Sequence, residues 1–171
     1  LGGTDGNDPL VSRTGANGGF PRFNVDRARV QRLADGVYAV FRGSGQWARS
    51  PLFVGEQFAL GGPDTVRGFP QAELLGDHAY LLGAELRWSP DLDHPDKFQL
   101  AAFLEHGGVD LVNPQPGDLA GGRSLTGAGV GFRWNLGGET NLRFDLGFPL
   151  HDRPTSGGRS PAAYTGLQTR F

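Results

Sequence analysis

The chain has 171 residues, 29 of them glycine and 12 proline, with no cysteine and a formal net charge of −2. That length suffices for one domain with a real core. The near-neutral balance removes the electrostatic case for a nucleic-acid partner, and the lack of cysteine excludes disulfides and thiolate metal sites. No apolar run is long enough for a transmembrane helix. Transmembrane strands need only ~9–11 residues and alternate apolar with polar side chains, so a membrane barrel stays open.

Residues 1–21 carry Gly, Asn, Asp and Pro without a period and read as a loop or amino-terminal extension. No signal peptide is visible, and the abrupt start at Leu1 reads as a fragment or a mature product. Residues 22–171 read as a single β-barrel domain. A weakly alternating, Arg-rich segment runs from Phe23 to Leu33. Ala34-Asp35-Gly36 is a hairpin turn, and Val37 to Ala48 is the second strand. Residues 49–77 form a long interruption of the kind that is usually functional.

Alternation then becomes regular. From His78 to Trp88 one parity holds Tyr80, Leu82, Ala84, Leu86 and Trp88, and the other holds Ala79, Leu81, Gly83, Glu85 and Arg87. After the polar turn at Asp91–Asp96, Phe98, Leu100, Ala102 and Leu104 share a face opposite Gln99, Ala101, Phe103, Glu105 and Gly107. A loop from about Asn113 to Gly122 follows. Ala128, Val130, Phe132, Trp134 and Leu136 then alternate with Gly127, Gly129, Gly131, Arg133 and Asn135. Past the Gly137-Gly138-Glu139 turn, Leu142, Phe144, Leu146, Phe148 and Leu150 alternate with Asn141, Arg143, Asp145 and Gly147. A loop spans His151 to Pro161, and the last strand ends on Phe171, with Thr169, Leu167 and Thr165 on the same face.

The predicted fold is therefore all-β: an antiparallel transmembrane β-barrel meander, seven or eight strands in this chain, with a long inserted loop at 49–77. Short turns at Asp35, Asp93 and Gly138 alternate with long loops, the asymmetry of outer-membrane barrels. Aromatics at strand ends (Trp47, Trp88, Trp134, Phe98, Phe148, Phe171) suit two interfacial girdles. A soluble sandwich or ligand-binding barrel also alternates, but a second face carrying Arg and Asp among many glycines is a poor partner for another sheet.

The densest stretch lies in the long loop: Leu60-Gly61-Gly62-Pro63-Asp64-Thr65-Val66-Arg67-Gly68-Phe69. Glycines and a Pro-Asp turn crowd around one arginine, which suits a bent backbone that aims a cation at a fixed target. Parity offers two targets, because Glu85 and Glu105 fall on the polar, glycine-bearing faces of adjacent predicted strands. Gly127, Gly129 and Gly131 either permit curvature or clear space for the loop tip.

Taken together, Val66-Arg67-Gly68-Phe69, Glu56-Gln57-Phe58, Gly83-Ala84-Glu85-Leu86-Arg87 and Phe103-Leu104-Glu105-His106-Gly107 resemble the haemolysin secretion/activation (ShlB/FhaC/HecB) family of two-partner secretion transporters. Five strands after the long loop and two before it match the carboxy-terminal half of that family's barrel. The resemblance implies a pore in the bacterial outer membrane that exports an unfolded exoprotein client. It implies that Arg67 folds into the lumen to meet Glu105, where the family usually has Asp, and Glu85. It further implies that Phe171, with Leu167, serves as a carboxy-terminal signal for the barrel assembly machinery. Outer-membrane lipid is then a partner, and pairing of two copies into a larger barrel is a further option. The alternative is a small standalone barrel of the same superfamily with a structural or assembly role.

No catalytic constellation stands out. The four histidines are scattered, no zinc-binding or nucleophile-elbow spacing exists, and the Gly-rich loop lacks the Gly-Lys-Ser/Thr of a phosphate loop. The reading is a non-enzyme with no cofactor, no metal and no nucleic acid.

Overall fold

The computed structural model describes residues 21–114, 118, 121–137, 139–150 and 161–170. Nine strands appear in chain order: β1 (Arg22–Ala34), β2 (Val37–Ala48), β3 (Phe58–Leu60), β4 (Leu74–Gly76), β5 (His78–Trp88), β6 (Phe98–Asp110), β7 (Arg123–Gly137), β8 (Thr140–Pro149) and β9 (Ala162–Thr169). Seven of them form one antiparallel sheet in the order β1-β2-β5-β6-β7-β8-β9, each strand beside the one that follows it around the meander. Residues 1–20, one possible source of an eighth strand, lie outside the described residues, as does Phe171.

Tight turns join β1 to β2 and β7 to β8 at one end of the sheet. Gly36 supplies the left-handed residue of the first turn, at φ +69°. A cross-strand row reads Val40, Glu85, Phe103, Gly129, Gly147, which fixes the inward face. The neighbouring outward row reads Phe41, Ala84, Leu104, Ala128, Phe148. Because side chains alternate with period two, this register puts every Leu of β5 and β6 on one side except Leu81.

The outward face is apolar and uncovered. Leu82 is 59% exposed, Leu104 53% and Val130 55%. In water so large an apolar surface would drive aggregation, whereas lipid solvates it. Aromatics close both margins of the band. Phe98 stacks on Phe132 and meets Trp134 edge-on at the tight-turn end, while Trp47 lies beside His78 and Tyr80 beside His106 at the other. Along β5, Tyr80 to Trp88 at ~3.3 Å per residue and a tilt of ~40° spans about 20 Å of membrane, close to the apolar band of such barrels. A soluble barrel offers no reason for this surface.

The long loop is more ordered than its composition predicts. A 3₁₀ turn at Val54–Glu56 leads into β3, which pairs with β4 as a small separate ladder. The side chain that organises it is Asp77, which is fully buried. Its carboxylate accepts the Leu52 N–H at 3.0 Å, the Gln57 amide at 3.2 Å and the Val112 N–H at 2.8 Å. Asp77 thus ties both ends of the loop to the neighbouring loop after β6. Replacing it with Ala strands those donors, at ~1–3 kcal/mol. The expected result is faster amide exchange at Leu52 and Val112 with little change in mid-strand β5, and unchanged exchange at both amides would refute the assignment.

The loop turns into the concave side of the sheet. Leu60, Val66, Phe69 and Leu74 of the loop pack on inward-facing Leu81, Val109 and Leu125. This explains why Leu81 breaks the polar parity of β5: near the loop end, the inner face is apolar to receive the loop. β1 and β9 each have one strand neighbour, so the described sheet is open, yet Arg42 of β2 and Tyr164 of β9 both reach the loop motif. The sheet therefore curls around the loop.

Candidate functional site: an arginine buried in the lumen wall

The backbone geometry of the motif comes first. Gly61, Gly62 and Gly68 all have φ near +100°, a region that L side chains rarely adopt. A Cβ on Gly68 would press on the Phe148–Pro149 backbone of β8. A Cβ on Gly147 would meet the Gly68 nitrogen and the Arg67 carbonyl carbon, and one on Gly127 would overlap the Arg67 carbonyl oxygen. The motif backbone therefore lies flat on β7 and β8 only because glycines face it from both. Gly129 and Gly131 of β7 have different work. The site of a Cβ on Gly129 is occupied by the Phe103 ring and the Leu146 carbonyl, and that on Gly131 by Asp145 and the Phe144 carbonyl. Of the two roles open to these three residues, clearing space for the loop tip fits Gly127 alone. Gly129 and Gly131 make room for side chains that face the loop arginine.

That backbone carries Arg67 into the wall, where it is 1% exposed. Its Nη2 lies 2.6 Å and its Nε 3.0 Å from Glu105 Oε1, and its backbone N–H donates to Glu105 Oε2 at 2.8 Å. Nη1 donates to Glu85 Oε2 at 3.0 Å and lies 3.1 Å from Asp145 Oδ2. The guanidinium carbon sits 3.4 Å from the centroid of the Phe103 ring, so the planar cation is stacked on one face and paired at its edges. Glu105 and Asp145 are as buried as Arg67. Taking these charges from water is costly, and good geometry with every donor used is what offsets it.

The structure thus brings Arg67 together with Glu105 and Glu85, the two acids singled out for it in sequence, and adds more. Asp145 is the third carboxylate. Arg133 bridges Glu85 at 2.8 Å and Asp145 at 2.7 Å. Arg87 pairs with Glu85 at 2.7 Å, Arg143 with Asp145, and Arg42 with Glu105. Arg143 and Arg42 also donate to the Pro63 and Asp64 carbonyls of the loop, at 3.0 and 3.4 Å. Each of the three carboxylates that meet Arg67 therefore also pairs with at least one arginine of the wall.

Parity was the available signal for Asp145, Arg133 and Phe103, since each lies on the inward face of its predicted strand. Val66 and Phe69, read as motif residues, are buried in the loop's apolar anchor. Leu167 faces outward beside Leu142 on β8 and is 66% exposed. Phe171 lies outside the described residues. Below the arginine cluster the inner face encloses a concavity of about 620 Å³ lined by Tyr38, Arg87, Gln99, Arg133, Arg143 and Gln168.

An apolar band outside, a charged wall inside and a loop folded into the concave side are the features of a β-barrel of the outer-membrane type. The chain belongs to the haemolysin secretion/activation protein ShlB/FhaC/HecB family, which matches residues 34–134. It is similar to the outer membrane transporter CdiB of Escherichia coli, 27% identical over 132 residues that make up 77% of this chain and 22% of the relative. The CdiB of E. coli strain 536 is 26% identical over the same proportions. Among solved structures, CdiB from Acinetobacter baumannii matches with a TM-score of 0.66 at 23% identity, over 86% of this chain and 27% of that one. The chain thus spans about a fifth of the length of the curated relatives it matches. Its family places it in the bacterial outer membrane.

Proposed function

We propose that the protein containing this chain is the translocating barrel of a two-partner secretion pair, through which an unfolded exoprotein crosses the outer membrane. In this reading the 49–77 loop is a removable obstruction, and Arg67 is the contact that seats it. The observation that carries the proposal is the doubly paired wall: Glu85, Glu105 and Asp145 hold Arg67, and Arg42, Arg87, Arg133 and Arg143 hold the same carboxylates without it. A loop with a purely structural role gains nothing from a seat that survives its departure. A transport pore needs one.

The client, the surrounding lipid and the assembly machinery that reads Phe171 and Leu167 are the partners this role requires. The chemistry asked of the chain is positioning and release, with no bond made or broken. Arg67→Ala in the full-length protein is expected to abolish secretion of the cognate exoprotein or to alter pore conductance, while the barrel still inserts and keeps its heat-modifiable electrophoretic mobility. Secretion at the wild-type rate, with unchanged single-channel conductance, would sink the proposal.

A further inference from the structure

Tyr164 stands on β9, directly across from Asp145 of β8 and on the same inward face. Its hydroxyl accepts the Gly68 N–H at 3.1 Å and donates to the Phe69 carbonyl at 2.8 Å. One side chain thus satisfies backbone groups of two adjacent residues of the motif, immediately after Arg67. Those groups are close enough only because Gly68 and Gly147 let the motif backbone lie against β8. The hydroxyl takes its place there as donor and acceptor at once, a role that a phenol fills and a phenyl ring does not.

The position of this tyrosine matters as much as its bonds. β9 has a single strand neighbour in the described sheet, and most of its residues are exposed. Its pairing with β8 runs from Gly147–Ala162 to Thr140–Thr169. The motif touches β8 through glycine contacts at Gly147, the very residue where the β8–β9 ladder begins. Seating of the loop and docking of β9 therefore share one spot on the wall, and Tyr164 bonds the two.

We infer that Tyr164 makes the last described strand part of the loop's seat, so that loop insertion and the pairing of β9 with β8 form one coupled two-state unit. Coupling between binding equilibria is reciprocal. If β9 holds the loop, the loop holds β9 to the same degree. Tyr164 is a positioning residue here. Its effect reaches Arg67 through the peptide groups of Gly68 and Phe69.

Both directions can be measured without any transport assay, so this inference and the secretion proposal fail separately. In one arm, Tyr164→Phe keeps the ring and removes the hydroxyl. With Arg67 buried in the wild type, tryptic cleavage at the Arg67–Gly68 bond, followed by mass spectrometry on the full-length protein in detergent, reports the unseated fraction. Cleavage is expected to rise about tenfold, the scale of a hydrogen bond's net contribution when opening is fast. In the other arm, Arg67→Ala empties the seat from the loop side, and amide hydrogen exchange is read at residues 162–169. Exchange on β9 is expected to speed up while mid-strand amides of β6 stay protected. Cleavage in Tyr164→Phe at the wild-type rate overturns the inference. So does unchanged β9 exchange in Arg67→Ala, because the loop would then be anchored by Tyr164 without any coupling to the strand.

Discussion

Glu105→Ala is expected to unseat the loop almost completely. The carboxylate takes three donors of Arg67, two from the guanidinium and one from its own backbone, and also pairs with Arg42. Its loss takes three donors of Arg67 out of their seat at once and leaves Arg42 without its carboxylate, while Glu85 and Asp145 reach only Nη1. Removing one partner of a buried pair costs ~3–5 kcal/mol, against ~0–1 for an exposed one, so the seated fraction should fall by more than about a hundredfold. The measurement is tryptic accessibility of Arg67 in the full-length protein, with heat-modifiability as the check that the barrel has formed. Glu105→Asp is the informative companion. It restores the charge one methylene short, and an intermediate accessibility is expected. Protection of Arg67 in the Glu105→Ala protein equal to that in the wild type would contradict the geometry described above.

Gly127→Ala tests the same seat from the steric side. The added methyl overlaps the Arg67 carbonyl oxygen, a backbone atom that cannot swing away as a side-chain tip would. The loop must then lift from β7, which lengthens every contact of Arg67 at once. Overpacking of this kind costs ~1–3 kcal/mol. Tryptic accessibility of Arg67 should shift in the direction expected for Glu105→Ala, though less far. Gly166→Ala is the control, since nothing lies within 4 Å of a Cβ placed there. Equal behaviour of the two glycine variants would show that the motif does not rest on Gly127.

These two variants separate the electrostatic and steric parts of one arrangement, and the distinction bears on release. A loop held by charge alone would respond to any passing ion. Here the apolar contacts of Leu60, Val66, Phe69 and Leu74 add a contribution that salt does not screen. Under the proposed role, displacing the loop would require competition for both kinds of contact.

Several features of the chain were legible before any coordinates. Period-two alternation in β5 to β8 is so regular that strand limits, the lipid face and the inward placement of Glu85 and Glu105 follow from parity. The loop motif was visible because clustered glycines around one arginine suit no regular element. Tyr164 was not legible, since a lone tyrosine in a short, weakly patterned strand has no local feature that marks a loop contact 96 residues away. Asp77 was missed for a related reason: its partners at Leu52, Gln57 and Val112 come from two separate loops, and loop backbone carries no periodicity to extrapolate. The order inside 49–77 was hidden too, because β3 and β4 are three residues each, too short for a pattern.

By itself the sequence determined the class of fold and the sidedness of β5 to β8, because both depend on local alternation and turn chemistry, and the motifs' resemblance to the family singled out the pair of Arg67 and Glu105. Only the tertiary structure decided that four wall arginines share the three carboxylates, that Gly127 and Gly147 face the motif backbone, and that the last described strand reaches the loop. Those facts depend on register and curvature across strands far apart in the chain, and they make a paired arginine part of a network of four wall arginines and three carboxylates.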